Sequence, residues 1–224
     1  MYVTISNEHK DQAFYEQTTE TISHLRPIRA ACGKHVFREG DKVDRIYVVV
    51  SGAVKLTRLL EDGRRQIIAF GFPGDMVGFP SHGRHHTDCE ALTTVQLEPY
   101  RFSSLENGTG DPVLHKAFVQ AALREIAAMQ DHFVMLGRKS ATEKVASFLE
   151  TMAQRLGEPV GNYRQISLSM SRADIADFLG LTTETVSRTI SLFRKRQVIA
   201  LYGAHTVVVL RPDALHAIAN RDRG

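Results

Sequence analysis

Glu184, Ser187 and Arg188 stand three and four residues apart, a spacing that sets all three on one face of an α-helix. Their chemistry is recognition rather than catalysis. A guanidinium fork matches O6 and N7 of guanine, a carboxylate accepts from cytosine N4, and a serine offers a hydroxyl with a methylene that tolerates a thymine methyl. Two structural roles compete with base contact. Glu184 in a first helical turn also complements the helix dipole, and Arg188 could simply hold a phosphate.

The segment SRADIADFLGLTTETVSRTISLFRKR, residues 171–196, supplies the frame for these side chains. Ile175, Ala176 and Leu179 share one face of a first helix, Gly180 suits the left-handed turn that ends it, and Thr182 or Thr183 suits the cap of a second. In the second helix Val186, Ile190 and Phe193 must face inward, which turns Glu184, Thr185, Ser187, Arg188 and Ser191 outward. An ordinary helical hairpin with a charged wet face fits this much equally well. The next segment of the chain tips the balance, because VIALYGAHTVVVL (198–210) reads as two strands around Gly203, a wing beside the second helix. Charge agrees: residues 138–224 hold 13 Lys and Arg against 8 Asp and Glu, while residues 1–137 hold 15 against 17. The basic surplus therefore lies with the helix pair, where double-stranded DNA would bind. Arg194, Lys195 and Arg196 end the second helix and suit either dipole compensation or phosphate contact.

Upstream, the segments HVFREGD, RIYVVVSGAVKLTRLL, RRQIIAFGF and CEALTTVQLEPYRF alternate with glycine-rich turns, the pattern of a β-barrel or jelly roll. Between Asp111 and Lys139 the period becomes helical. Phe118, Ala122, Ile126, Met129, Phe133 and Leu136 form an apolar stripe whose economical partner is the same helix of a second subunit, although a helix packed only on its own barrel gives a similar pattern. The expected organisation is α+β: a β-domain over 1–110, a dimerisation helix over 111–139 and a winged helix-turn-helix domain over 140–224. The 224 residues, 43% hydrophobic, suffice for two modest cores. MYVTISNEHKDQ lacks the apolar region of a signal peptide, and every apolar run is too short to span a bilayer, so a cytoplasmic protein without a membrane partner is expected. The two cysteines, Cys32 and Cys89, are too few for a disulfide framework or a zinc knuckle. No nucleophile elbow, phosphate loop or supported carboxylate pair marks an enzyme.

In this order the elements resemble the regulators named for the cyclic-AMP receptor protein and the fumarate-and-nitrate-reduction regulator, the CRP/FNR family. The resemblance rests on FREGD (37–41), SGAVKL (51–56), FPGDMVGF (72–79) and DIADFLGLTTETVSR (174–188), and covers nearly the whole chain. It implies a cyclic-nucleotide-binding-like β-domain, a homodimer, DNA binding and RNA polymerase as a partner. LGLTTETVSRTIS is most similar to the FixK-like branch, which implies that Glu184, Ser187 and Arg188, with Thr183 beside them, read bases in a palindrome near TTGAT-N4-ATCAA. Half-sites of a two-fold dimer lie about 34 Å apart, which suits that spacing. Thr183 stands where the fumarate-and-nitrate regulator often has a hydrophobic residue, a difference that bears on the outermost base. Ser171, Arg172, Thr182, Thr185, Ser191, Arg194 and Lys195 are the expected phosphate and positioning contacts.

The same resemblance frames the question of a signal. The stretch VGFPSHGRHHTDCEA (77–91) has neither the Gly-Glu-Leu segment nor the Arg-Ser pair that anchors a cyclic nucleotide in this family. Residues 1–31 hold no cysteine, which leaves an iron-sulfur cluster without ligands. His82, His85 and His86 remain as candidates for a metal or haem, in a turn that is otherwise an exposed loop. The expectation is a FixK-like regulator without a cofactor, with low-oxygen or nitrogen-oxide metabolism as the branch's habit; a haem- or cyclic-nucleotide-responsive regulator of the same fold is the alternative.

Overall fold

Alternating apolar and polar residues in the first half of the chain resolve into ten short strands in the computed structural model, which describes residues 25–106 and 112–220. These are β1 (Ile28–Ala30), β2 (His35–Phe37), β3 (Arg45–Ser51), β4 (Val54–Leu59), β5 (Arg65–Gly71), β6 (Met76–Val77), β7 (Pro80–Ser81), β8 (Arg84–His85), β9 (Asp88–Ala91) and β10 (Val95–Arg101). Two antiparallel four-stranded sheets, β1-β10-β3-β6 and β2-β9-β4-β5, make the jelly-roll-like body, and β7 pairs with β8 in a small hairpin.

The apolar stretch RIYVVVSGAVKLTRLL is two strands in different sheets. The chain turns at Gly52, whose φ is 82° and where a Cβ would lie 2.4 Å from the Thr94 carbonyl oxygen, so glycine is required there. CEALTTVQLEPYRF divides in the same way, into β9 and β10. On β3 the side-chain period of two sends Tyr47 and Val49 into a core with Val54, Leu56, Val77 and Leu97, and Ile46 and Val48 into a second with Met76, Tyr100 and Leu105. After α1 (Phe102–Glu106), the helix α2 (Pro112–Arg138) closes that second core with Leu114 and Ala121.

The chain forms two units, Met1–Met129 and Gln130–Gly224. The changeover falls inside α2. The second unit continues with α3 (Ala141–Leu156), β11 (Glu158–Val160), β12 (Tyr163–Ser167), α4 (Arg172–Leu179), α5 (Thr183–Lys195), β13 (Ile199–Tyr202), β14 (Thr206–Val209) and α6 (Pro212–Ala219). Its sheet runs β11-β12-β14-β13. Val145, Phe148, Leu149 and Met152 of α3 bury their side chains completely or nearly so, as do Ile166, Phe178, Phe193 and Val207 from the elements around them. The wing expected around Gly203 is the β13–β14 hairpin, but it belongs to a sheet twice that size, since β11 and β12 extend it.

Helix α5 ends in a six-to-one hydrogen bond from Val198 N to Phe193 O, together with one from Gln197 N to Arg194 O. This Schellman arrangement places Gln197 at φ 56°, in the left-handed region that favours glycine. Gln197→Gly should therefore raise stability by about 0.5 to 1 kcal/mol, read as a higher urea midpoint at unchanged slope.

Candidate nucleic-acid interface

Each helix of the pair begins on a side chain that satisfies its orphan backbone donors. Ser171 caps α4 in a reciprocal box: its hydroxyl accepts from Asp174 N at 3.0 Å and donates to Asp174 Oδ2 at 2.6 Å, while Ser171 N donates to that carboxylate. Thr182 caps α5, accepting from Thr185 N at 3.2 Å with its Oγ1 2.8 Å from that of Thr185. Between the caps Gly180 takes φ 61° and ψ 42°, the left-handed conformation that turns α4 into α5. Of the two threonines considered for the cap, Thr182 holds it and Thr183 opens the helix.

Val186, Ile190 and Phe193 are buried against α4, whose own inward face is Ile175, Ala176, Phe178 and Leu179. That leaves Thr183, Glu184, Ser187, Arg188 and Ser191 exposed on the opposite side of α5. Arg188 Nη1 lies 3.6 Å from Glu184 Oε1, with both side chains more than 70% exposed, so the fork is held but accessible. Thr185 is half-buried with its hydroxyl turned to Thr182, and the Ser171 hydroxyl is engaged by Asp174. Arg172, at the first turn of α4, is half-buried, and burial lowers the pKa of its guanidinium. Arg194 and Lys195 project from the last turn of α5 into solvent, and Arg196 is its C-cap.

Helix α4 is also gripped from behind. The imidazole of His132, near the end of α2, stacks on Phe178 at 4.2 Å between centroids, and Phe178 in turn meets Phe148 of α3 at 6.0 Å. His132 Nδ1 is buried without a partner. Burial, with Lys144 adding to it, lowers the His132 pKa from the usual 6.5 to about 4, against an opposing hydrogen bond to the Phe178 backbone. Between those values the unfolded chain binds a proton that the native chain refuses. Stability should fall as pH drops from about 6.5 towards 4, by on the order of 3 kcal/mol. His132→Phe keeps the stack and removes the titration, so the urea midpoint of that variant should show a correspondingly shallower pH dependence across this window.

The apolar stripe of α2 is divided in its loyalties. Phe118 stacks on Phe79 at 5.5 Å and meets Phe102 edge-on at 6.1 Å, within the β-domain's second core. Ala122 and Leu136 are half-buried, the latter facing Gly180. Ile126, Met129 and Phe133 stay exposed, and Phe133 is 78% accessible. Val119, Leu123 and Val134 are exposed beside them.

The three histidines of the turn do not converge. His85 in β8 is buried and stacked on Phe37 at 3.8 Å, while His86, in the bend that follows the strand, is exposed, 3.1 Å from Arg58 Nη1. His82 sits exposed at the turn with φ 52°. Among the described residues no group of three His, Cys, Asp or Glu could hold a metal ion. A cyclic nucleotide fits this region poorly. Its phosphate requires a fixed cation, but His85 is buried with its charged form disfavoured by desolvation, and Arg84 donates to the Gly40 carbonyl at 2.7 Å. Cys89 is also sealed in this core, where burial pushes its thiol pKa far up and makes it unreactive. The N-terminal segment MYVTISNEHKDQ lies outside the described residues, and no described helix is long and apolar enough to cross a membrane.

Comparison with known proteins agrees with this architecture at both ends. Residues 143–218 match the Crp-like helix-turn-helix domain and residues 27–103 the cyclic nucleotide-binding domain. The chain is 38% identical over 188 residues to the nitrogen fixation regulation protein FixK of Rhizobium meliloti (strain 1021), covering 84% of each. It is 31% identical over 220 residues to the fumarate and nitrate reduction regulatory protein of Escherichia coli (strain K12), covering 97% of this chain and 85% of that one. The solved structure of FixK2 from Bradyrhizobium japonicum superposes with a TM-score of 0.79 at 36% identity, covering 86% of this chain and 96% of that chain. These relatives are regulators, not enzymes, and the chain belongs to the CRP/FNR family of DNA-binding transcription regulators, within its FixK-like branch.

Proposed function

We propose that this regulator binds, as a homodimer, a palindrome of the TTGAT-N4-ATCAA type, with Glu184, Ser187 and Arg188 reading bases and Thr183 touching the outermost position. Thr182, Thr185, Ser191, Arg172, Arg194 and Lys195 position the backbone, together with Ser171 through the α4 cap. The observation that carries this is the division of α5: one face is closed into the core by Val186, Ile190 and Phe193, and the other presents the three polar side chains unobstructed. Dimerisation supplies the second half-site through α2. The protein works in the cytoplasm, with RNA polymerase as its onward partner. The relatives' roles in nitrogen fixation and in fumarate and nitrate reduction point to genes of low-oxygen or nitrogen-oxide metabolism. Neither a cyclic nucleotide nor an iron-sulfur cluster is needed, so activity follows the protein's concentration.

Binding of the purified, ligand-free chain to that duplex, and to one with the G and its symmetry-related C replaced, tests the proposal at physiological salt. Tight, salt-sensitive binding lost on replacement is the expected result. Equal binding to both duplexes would refute base reading, and weak binding to both would refute independence from a signal.

A further inference from the structure

The turn of the wing carries an imidazole that is fixed at one nitrogen and free at the other. His205 stands exposed between β13 and β14. Leu168 holds it twice: Leu168 N donates to the His205 carbonyl at 2.8 Å, and the imidazole Nδ1 lies 3.1 Å from the Leu168 carbonyl oxygen. A carbonyl oxygen can only accept, so Nδ1 carries the proton. In the neutral ring Nε2 then holds a lone pair, and it has no partner among the described residues. It becomes a donor only when the ring gains a second proton.

We propose that His205 is a further DNA contact, donating from Nε2 to a backbone phosphate as imidazolium, so that each subunit takes up a proton from solvent as it binds. The proposal rests on the DNA-binding reading above and adds pH as a control on that site. Leu168 precedes Ser171, the cap of α4, by three residues, and the register Ser167↔Thr206 lays the wing turn beside the same stretch, all within the second unit. In a helix-turn-helix the first helix crosses the sugar-phosphate backbone, and Ser171 and Arg172 at the start of α4 are among the positioning contacts proposed above. The wing turn is thus bonded to the segment that leads into the backbone contact. Arg172 itself is a half-buried cation with no acidic partner among the described residues, which suits an anion arriving from outside.

The segments that touch His205 leave its charge to the phosphate. Residues 167–170, β13, the turn and β14 carry no Asp, Glu, Lys or Arg, and Tyr202 is their one other titratable side chain. Arg164 of β12 donates to the Ala153 and Gly157 carbonyls, and on α4 Asp174 is engaged by Ser171, with half-buried Asp177 a turn further on. Helix α5 packs on β13, and its exposed charges are Glu184 paired with Arg188, then Arg194 and Lys195. Imidazole gains its proton between about pH 8 and 6, and a phosphate beside it favours the charged form. DNA affinity should therefore rise as pH falls through that range.

The test measures binding of the full chain at pH 8 and pH 6 to the palindrome and to the duplex with the G and its symmetry-related C replaced. The dissociation constant should be on the order of tenfold lower at pH 6 on both duplexes, with a salt slope steeper by about two, one phosphate contact for each subunit. His205→Asn keeps an N–H for the Leu168 carbonyl and cannot be charged, so most of that gain should vanish. His205→Lys is charged at both pH values and should bind at pH 8 about as tightly as at pH 6. An unchanged urea midpoint in either variant separates a lost contact from a loosened wing. Other groups that titrate act equally in the unsubstituted chain and in His205→Asn, so the same fold-gain in both overturns the contact while the base-reading assignment stands. Equal affinity of the unsubstituted chain for the two duplexes would refute base reading instead, and the comparison with His205→Asn on either duplex still decides the phosphate contact.

Discussion

Arg188→Ala is expected to weaken binding to the palindrome by about 1 to 3 kcal/mol per half-site, a loss that a dimer engaging both half-sites feels twice. The variant loses a two-pronged hydrogen bond to guanine and nothing that holds the fold. In the free chain Arg188 touches Glu184 at 3.6 Å across a largely exposed surface, and such a pair contributes at most about 1 kcal/mol. The thermal midpoint should thus remain close to that of the unsubstituted chain while affinity falls. Glu184→Ala should lose a comparable amount. The double variant should lose less than the sum of the two, because each side chain orients the other. Salt dependence separates the two roles open to the arginine. If Arg188 reads a base, its loss relaxes discrimination at one base pair in each half-site and leaves the salt slope nearly unchanged; if it holds a phosphate, all sequences weaken together and the slope of the dimer drops by about two, one for each subunit. Affinity within twofold of the unsubstituted chain on both duplexes would remove Arg188 from the interface.

The helix pair was legible because its signals are local. The glycine turn, the capping threonine and the inward positions Val186, Ile190 and Phe193 all fall within one stretch of 26 residues, and each does what its type and spacing imply. Signals that depend on distant partners were harder to read. Phe118 and Leu136 look like seam residues by period, but the β-domain core claims the first and the turn at Gly180 faces the second. The strands β11 and β12 escaped because Glu158–Val160 and Tyr163–Ser167 are short and mostly exposed; β12 pairs with the wing strand β14, which comes about forty residues later, and β11 pairs in turn with β12. The histidine turn illustrates the same limit: sequence spacing brings three imidazoles within five residues, and the fold buries His85 of β8 while His82 in the turn before it and His86 in the bend after it stay exposed.

Phe178→Ala should be the most destabilising single truncation in the helix pair, costing about 3 to 5 kcal/mol from the lost transfer energy and the cavity left behind. Its ring is fully buried, clasped between the His132 imidazole at 4.2 Å and Phe148 at 6.0 Å. Neither neighbour can collapse into the space easily, since both belong to helices held by other contacts. Phe148 is itself fully buried in α3, and Met135 on α2, three residues beyond His132, is only 9% exposed. Domains of this size are stabilised by roughly 5 to 15 kcal/mol, so the loss is a large fraction of the total. Phe178→Leu, which fills most of the volume, should cost less than about 1.5 kcal/mol. The contrast with Arg188→Ala is the decisive one: Phe178→Ala should lower the urea midpoint and take DNA binding down with it, whereas Arg188→Ala should lower binding alone. A midpoint for Phe178→Ala that implies a loss below about 1 kcal/mol would mean that the stack of His132, Phe178 and Phe148 does not hold α4 in place.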